Sequence, residues 1–299
     1  MLKRTLFFVC IISFCSPTLA QKKGRQAEYY SFGINGIASY FFGDVSSGFQ
    51  TIRWGAGLQY LTKVNAHIAF TIDGNYIRLV ADDDLVSSAK RGKTTSAYIR
   101  NLHMRNDVIE LGLHGRYEFL PTYDYFTKRK KINGFVTLGL GLLYTNPQAK
   151  DSSGNWRNLR PMHTENKSYS SFTAYIPVSV GVARKISSHF DIEFEFGYRF
   201  TFTDYLDDVK GTYVDPTTLQ SADARYFSNR SAETTDSYTE KNRDLKYIQN
   251  DLGYPILTTS DRYSYVSTTS PGQQRGTRFG LDGYFVAMVR IVYIIPRRH

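Results

Sequence analysis

Apolar and polar residues alternate along this chain in long, regular runs. The clearest covers residues 190–203. There Phe190, Ile192, Phe194, Phe196, Tyr198, Phe200 and Phe202 are interleaved with Asp191, Glu193, Glu195, Gly197, Arg199, Thr201 and Thr203. A period of two belongs to a β-strand, whose successive side chains leave on opposite faces. A helix would scatter these phenylalanines around its whole cylinder. At roughly 3.3 Å per residue the run spans about 45 Å, beyond the five or six residues of an ordinary strand. Taken alone, it reads either as a soluble strand buried on one face or as a transmembrane strand. The latter needs about 9–11 tilted residues with apolar side chains toward lipid.

The same alternation predicts seven more strands. Residues 28–36 set Tyr30, Phe32 and Ile34 on one face, and residues 51–61 set Ile52, Trp54, Ala56, Leu58 and Tyr60. Residues 67–78 set Ile68, Phe70, Ile72 and Tyr76, and residues 108–119 set Ile109, Leu111, Leu113, Tyr117 and Phe119. Residues 135–144 carry Val136, Leu138, Leu140, Leu142 and Tyr144; residues 172–184 carry Ile176, Val178, Val180 and Val182. Residues 284–293 carry Phe285, Ala287, Val289, Ile291 and Tyr293. Pro177 lacks a ladder donor, so a bulge or strain is expected there.

Connections 62–66 and 185–189 are short and 120–134 is somewhat longer, and they alternate with 37–50, 79–107, 145–171 and 204–283. Short periplasmic turns alternating with long extracellular loops are the layout of bacterial outer-membrane barrels. The pattern therefore predicts an all-β fold: an eight-stranded antiparallel up-and-down transmembrane outer-membrane β-barrel. The last long loop is expected to cover the extracellular mouth. A soluble periplasmic barrel with its aromatic face inward is the competing architecture.

The first twenty residues change the picture. Lys3 and Arg4 precede an apolar stretch, 6–14, too short to span a bilayer. Thr18-Leu19-Ala20 before Gln21 suits a cleavage site. Residues 1–20 read as a signal peptide and 21–299 as the barrel domain. The two cysteines, Cys10 and Cys15, fall inside the signal. The mature chain is then expected to have no disulfide, thiolate metal site or cysteine nucleophile. Loss of Lys3 and Arg4 takes the formal charge from +10 to +8; such scattered charge on an exported chain does not suggest nucleic acid. After the signal no apolar run reaches about 18 residues, so a membrane form has to be a closed barrel.

The polar faces give that barrel an interior. Arg53, Asp73, Glu110, Arg116, Glu118, Glu193, Glu195, Arg199 and Arg290 are expected to point inward. Eight strands leave a bore just filled by side chains, so a structural polar network is expected; a proton or ion path is the functional alternative.

Candidate chemistry is sparse. The six histidines form no HExxH pair, and no GxSxG or P-loop is present. Ser187-Ser188-His189 is the nearest approach to the Ser/His pair of a lipid A-modifying barrel, but it lies in a predicted periplasmic turn. Asp82, Asp83 and Asp84, and Asp204, Asp207 and Asp208, offer oxygen ligands for calcium without EF-hand spacing; solvated loop acids are the expectation. Lys128, Arg129, Lys130 and Lys131 form a basic run in the longest periplasmic turn, a candidate contact for an acidic partner or anionic headgroups. No catalytic residue, cofactor, metal, nucleic acid or small-molecule substrate is expected.

Several segments carry a family resemblance. T-D-Y-L-D-D-V (203–209) and G-T-Y-V-D-P (211–216) follow a strand ending G-Y-R-F-T-F (197–202). With Y-F-F-G-D (40–44), R-N-L-x-M-R-N (100–106), N-P-Q-A (146–149) and I-P-V-S-V-G-V (176–182), this resembles the DUF6089 family of Bacteroidota outer-membrane barrels, which includes PorG-type proteins. The resemblance implies an outer-membrane barrel. It also implies possible service in type IX secretion and gliding, against periplasmic ring subunits of the PorK/PorN kind. An adhesin or surface-shielding barrel acting through its loops is the alternative role.

Overall fold

The computed structural model describes residues 27–84, 95–276 and 280–297. Its frame is eight long strands: β1 (Tyr29–Phe42), β2 (Arg53–Lys63), β3 (Ile68–Asp82), β4 (His103–Glu118), β5 (Ile132–Tyr144), β8 (Phe172–Lys185), β9 (Phe190–Thr201) and β12 (Gly283–Pro296). Two short strands, β6 (Pro147–Lys150) and β7 (Trp156–Asn158), prolong the sheet beside β4. A small separate hairpin joins β10 (Ile256–Thr258) to β11 (Ser264–Val266).

The long strands pair in the order β3-β2-β1-β12-β9-β8-β5-β4, and β4 returns to β3. Every pair is antiparallel. First and last strands zip along their whole length, from Tyr29↔Pro296 to Phe42↔Gly283. The expected eight-stranded up-and-down barrel is therefore closed, with no open edge among these strands. One end carries the short connections (the turn end); the other carries the long ones (the loop end). The proposed signal peptide, 1–20, lies outside the described residues.

Side-chain direction follows the pleat. Ile34, Leu58, Leu113, Leu140, Val180, Phe194 and Ile291 face outward and are exposed, Ile34 by 67% and Leu140 by 65%. Arg199 and Arg290 face inward and are exposed by 0% and 1%. The barrel is thus apolar outside and ionic inside, opposite to a soluble protein.

The order reverses toward the loop end. There the inward positions become apolar: Ile37, Phe41, Ile77, Leu79, Met104, Val108, Leu143, Val286 and Met288 form one buried cluster. Arg78 and Asp107, facing outward on β3 and β4, are paired instead. This reversal explains where sequence-based boundaries fall short. β1 continues to Phe42, β3 to Asp82, and β4 begins at His103. On β3 and β4 the strands persist beyond the apolar belt with the polar–apolar contrast inverted, whereas at the end of β1 the contrast is lost, because inward Phe41 and outward Phe42 are both aromatic.

Pro177 behaves differently from expectation. Pairing of β5 with β8 lapses between Leu138↔Val178 and Gly141↔Tyr175, yet the register is the same on both sides. The missing donor interrupts the ladder without inserting a bulge. On its other side Pro177 stays in register with Arg199.

Candidate functional site

The interior is a chain of ion pairs and hydrogen bonds. Arg290 is its hub: Nε donates to Asn35 Oδ1 at 2.6 Å, Nη1 to Glu193 Oε2 at 2.6 Å and Nη2 to Glu195 Oε2 at 3.1 Å. Gly33 makes the room, since a Cβ there would sit 2.6 Å from Arg290 Cδ. Glu193 also pairs with Arg116 at 2.7 Å, and Arg116 lies over the Phe135 ring. Arg116 leads to Glu118 at 3.5 Å, which meets the buried Lys63 at 2.5 Å.

A second arm runs toward the loop end. Asn35 donates to Asn75 at 2.9 Å, and Asn75 to Glu110 at 3.0 Å. Glu110 accepts from the Tyr284 hydroxyl at 2.5 Å and faces Arg199 Nε at 3.3 Å. Arg199 also donates to Ser179 Oγ at 3.2 Å. Asp73 lies 3.1 Å from His114 Nε2. The arginines, Lys63 and the glutamates each have an opposite charge beside them, as a desolvated ion requires, and Asp73 has the His114 ring.

Arg53 is the correction. It lies at an inward register position, but Nη1 donates to the backbone carbonyls of Gln50 and Ile52, both at 2.8 Å. At the rim of β2 the nearest acceptors are those of the preceding turn, so its side chain folds back and stays outside the network.

The turn end is stoppered by the connection between β4 and β5. Phe126 packs on a buried cluster of Tyr29, Leu61, Ala69, Val292 and Ile294. Arg129 is buried and forks onto Asp191, with Nε–Oδ2 at 3.0 Å and Nη2–Oδ1 at 2.8 Å. It also donates to the Phe126 carbonyl at 2.5 Å. Arg129 therefore does not belong to an exposed basic run: Asp191, at the foot of β9, draws it inside. Lys128 is exposed and pairs with Asp124 at 2.9 Å. Lys130 and Lys131 are exposed, as are Tyr123 and Tyr125. A void of about 20 Å³ beside Arg116, Glu118 and Arg129 has room for roughly one water.

The loop end is capped by the long connections. Leu206 and Val209 join the apolar cluster in the barrel mouth. Asn106, near the start of β4, donates to the Leu206 carbonyl at 2.7 Å. Arg275 ties the cap together through Glu165 Oε1 at 3.0 Å and the Asp208 carbonyl at 2.7 Å. Arg100 forks onto Asp83 and also reaches the Asp44 and Arg275 carbonyls.

The loop aspartates differ from expectation. Asp82, Asp83, Asp204, Asp207 and Asp208 are buried rather than solvated. The cap turns backbone donors into its interior, and several of these acids satisfy them. Asp207 accepts from Val45 N–H at 2.8 Å and Val209 N–H at 3.0 Å; Asp83 accepts from Ser46 N–H at 3.0 Å. Burial, reinforced by Asp44, pushes the Asp207 carboxyl up to about 8. Burial pushes Asp208 up to about 6, against the pull of Arg275. Among the described residues no group of three or more His, Cys, Asp or Glu side chains is placed to hold a metal ion.

At the turn between β8 and β9, Ser188 Oγ lies 3.1 Å from His189 Nδ1. Ser187 Oγ accepts from the His189 and Phe190 backbone N–H groups, which fixes it as a turn cap. The His189 ring packs on Phe126 and Tyr293.

Sequence reasoning missed Asn35, Lys63, Asn75, His114, Ser179 and Tyr284 as network members. Strand parity was the available signal, because all lie in register with the inward charges. Arg100 and Arg275 had none, since the cap has no periodicity.

These observations define a closed β-barrel with a packed ionic interior, an apolar exterior and both ends covered. The chain belongs to the family described as Domain of unknown function (DUF6089), whose sequence profile matches residues 5–227. No curated protein matches it significantly. Among solved structures it is similar to Neisserial surface protein A, at 9% identity and TM-score 0.40 over 88% of this chain and 96% of that one. It is also similar to OprG from Pseudomonas aeruginosa, at 9% identity and TM-score 0.38 over 93% and 100%. A third is Ail, the attachment invasion locus protein of Yersinia pestis, at 8% identity and TM-score 0.37 over 90% and 99%.

Proposed function

We propose that the protein is a non-enzymatic, non-conducting barrel of the outer membrane. Its task is to hold a rigid platform at the periplasmic face for subunits of a secretion machine, as in PorG-type members of the family. The observation that carries this reading is the combination of a lipid-suited exterior with an interior blocked along its length. Only a bilayer offers an apolar solvent for Ile34, Leu113, Leu140 and Phe194 together. A bore filled by Arg290, Glu193, Arg116 and Glu118 leaves no path for solute. What remains for function is the two covered ends.

The turn end suits docking. The stopper is pinned from within by Phe126 and Arg129, while Tyr123, Tyr125, Lys128, Lys130 and Lys131 face out. Exposed tyrosines on a rigid base beside lysines are the makings of an interface with an acidic protein surface. Ring subunits of the PorK/PorN kind are the proposed partners. A photo-crosslinking residue at Tyr125, in cells that express this chain, should capture such subunits. Capture of lipid alone would remove the docking role.

The cap supports a second reading, a surface barrel acting through its loops. Its arginine ties make it a fixed surface rather than a set of loose loops. Deleting residues 210–274 should spare secretion under the platform reading and abolish surface binding under the second.

A further inference from the structure

The cap also contains a cleft. It lies between the helix Ala222–Ser228, the turn Pro216–Thr218 and the loop joining β10 to β11. Its volume is about 250 Å³, below the roughly 300–1,000 Å³ of a drug-sized site, which limits an occupant to about one ring. Arg225, Tyr226, Thr259, Asp261, Arg262 and Tyr263 line it.

The chemistry of the lining is specific. Arg225 donates from Nε to the Leu219 carbonyl at 3.4 Å, and among the described residues its terminal nitrogens make no further hydrogen bond. Arg262 has a left-handed backbone, φ 61°, at the tip of its turn. Among the described residues its guanidinium has no hydrogen-bond or ion-pair partner. Arg225 and the exposed Arg262 both line the cleft, and two such cations favour an anion, whose carboxylate would match the planar fork.

The rest of the lining suits a hydroxylated ring. The half-buried Tyr226 and Tyr263 offer apolar faces, while the exposed Asp261 can accept from hydroxyl groups. Both tyrosines are held from behind. Tyr263 donates to the Arg225 and Asn229 carbonyls at 2.8 and 2.9 Å, and the Tyr226 hydroxyl accepts from Arg230 at 2.6 Å. The walls are thus set before any ligand arrives, which lowers the entropic cost of binding.

We propose that this cleft binds an acidic sugar, a uronic acid unit, with Arg225 and Arg262 on its carboxylate, Asp261 on its hydroxyls and a tyrosine against its ring. The test uses the full chain in detergent micelles, with methyl β-glucuronide as ligand and methyl β-glucoside as its uncharged counterpart. Saturable binding of the glucuronide is expected, at least tenfold tighter than the glucoside. Arg225→Gln with Arg262→Gln should abolish that preference, and Arg262→Lys should weaken it less than Arg262→Gln. Protease resistance of the cap, measured in each variant, separates loss of a site from loss of fold. Absence of saturable binding, equal binding of the two sugars, or undiminished preference in the folded double variant would overturn the assignment.

Discussion

Arg78 and Asp107 stand opposite each other on β3 and β4, outside the barrel, joined by Nε–Oδ1 at 2.6 Å and Nη2–Oδ2 at 3.0 Å. Their neighbours Ile77 and Val108 are fully buried on the inside. Nearer the turn end the arrangement is inverted, with Ile109 outward and Glu110 inward. One residue step thus separates a lipid-adapted wall from a water-adapted one, and this pair marks the edge of the apolar belt.

That edge predicts a gradient. Leu113→Arg, near the middle of the outward row on β4, should destabilise the folded barrel by about 2–4 kcal/mol in lipid. Ile109→Arg, the outward position next to Asp107, should cost about 0–1 kcal/mol. Denaturant titration of variants folded into vesicles measures both. Equal costs would mean that the belt does not end where the ion pair sits.

The interior predicts an asymmetry between cations. Arg290→Met leaves Glu195 and Asn35 without their donor and should cost about 3–5 kcal/mol, since it strands a buried charge. Arg53→Ala, at the rim, should stay within about 0.5 kcal/mol. The same titration reads both, and a costly Arg53 variant would place that residue in the network after all.

A filled bore predicts silence. In planar bilayers the purified protein should carry no steady ion current. Deleting residues 210–274 should not open it, because Arg290, Glu193, Arg116 and Arg129 still block the bore beneath the cap. Stable conductance after cap removal would show that the cap, not the bore, is the seal.

The cap should loosen as pH rises. Asp207 is held at about 8 when folded, against an ordinary value of 3.8. The folded cap therefore binds a proton that the unfolded chain releases. Its contribution is complete below about pH 4 and is lost as pH climbs through about 8. Limited proteolysis of the cap should accelerate over that range. Asp207→Asn should reduce the response, leaving the parts supplied by Asp82, also held at about 8, by Asp282, held well above its ordinary value, and by Asp204 and Asp208 at about 6. A profile unchanged by the substitution would contradict this assignment.

The barrel was legible because lipid and lumen impose opposite chemistries on alternate residues, and 190–203 records both. The strand ends were not, because beyond Arg78 and Asp107 the code inverts. Arg129 shows the second limit. Four consecutive basic residues read as one surface feature, yet a carboxylate sixty-two positions away, Asp191, takes the second of them inside. The cap shows the third: the buried Asp207 accepts from the Val45 N–H, in a different loop, a contact that no local pattern announces.

The most direct test is nitroxide accessibility in reconstituted vesicles, with single thiols placed at Leu113, Phe194 and Arg105. The account predicts that the first two relax with oxygen and are shielded from a water-soluble nickel chelate, while Arg105 shows the reverse. Chelate access at Leu113 and Phe194 equal to that at Arg105 would contradict it.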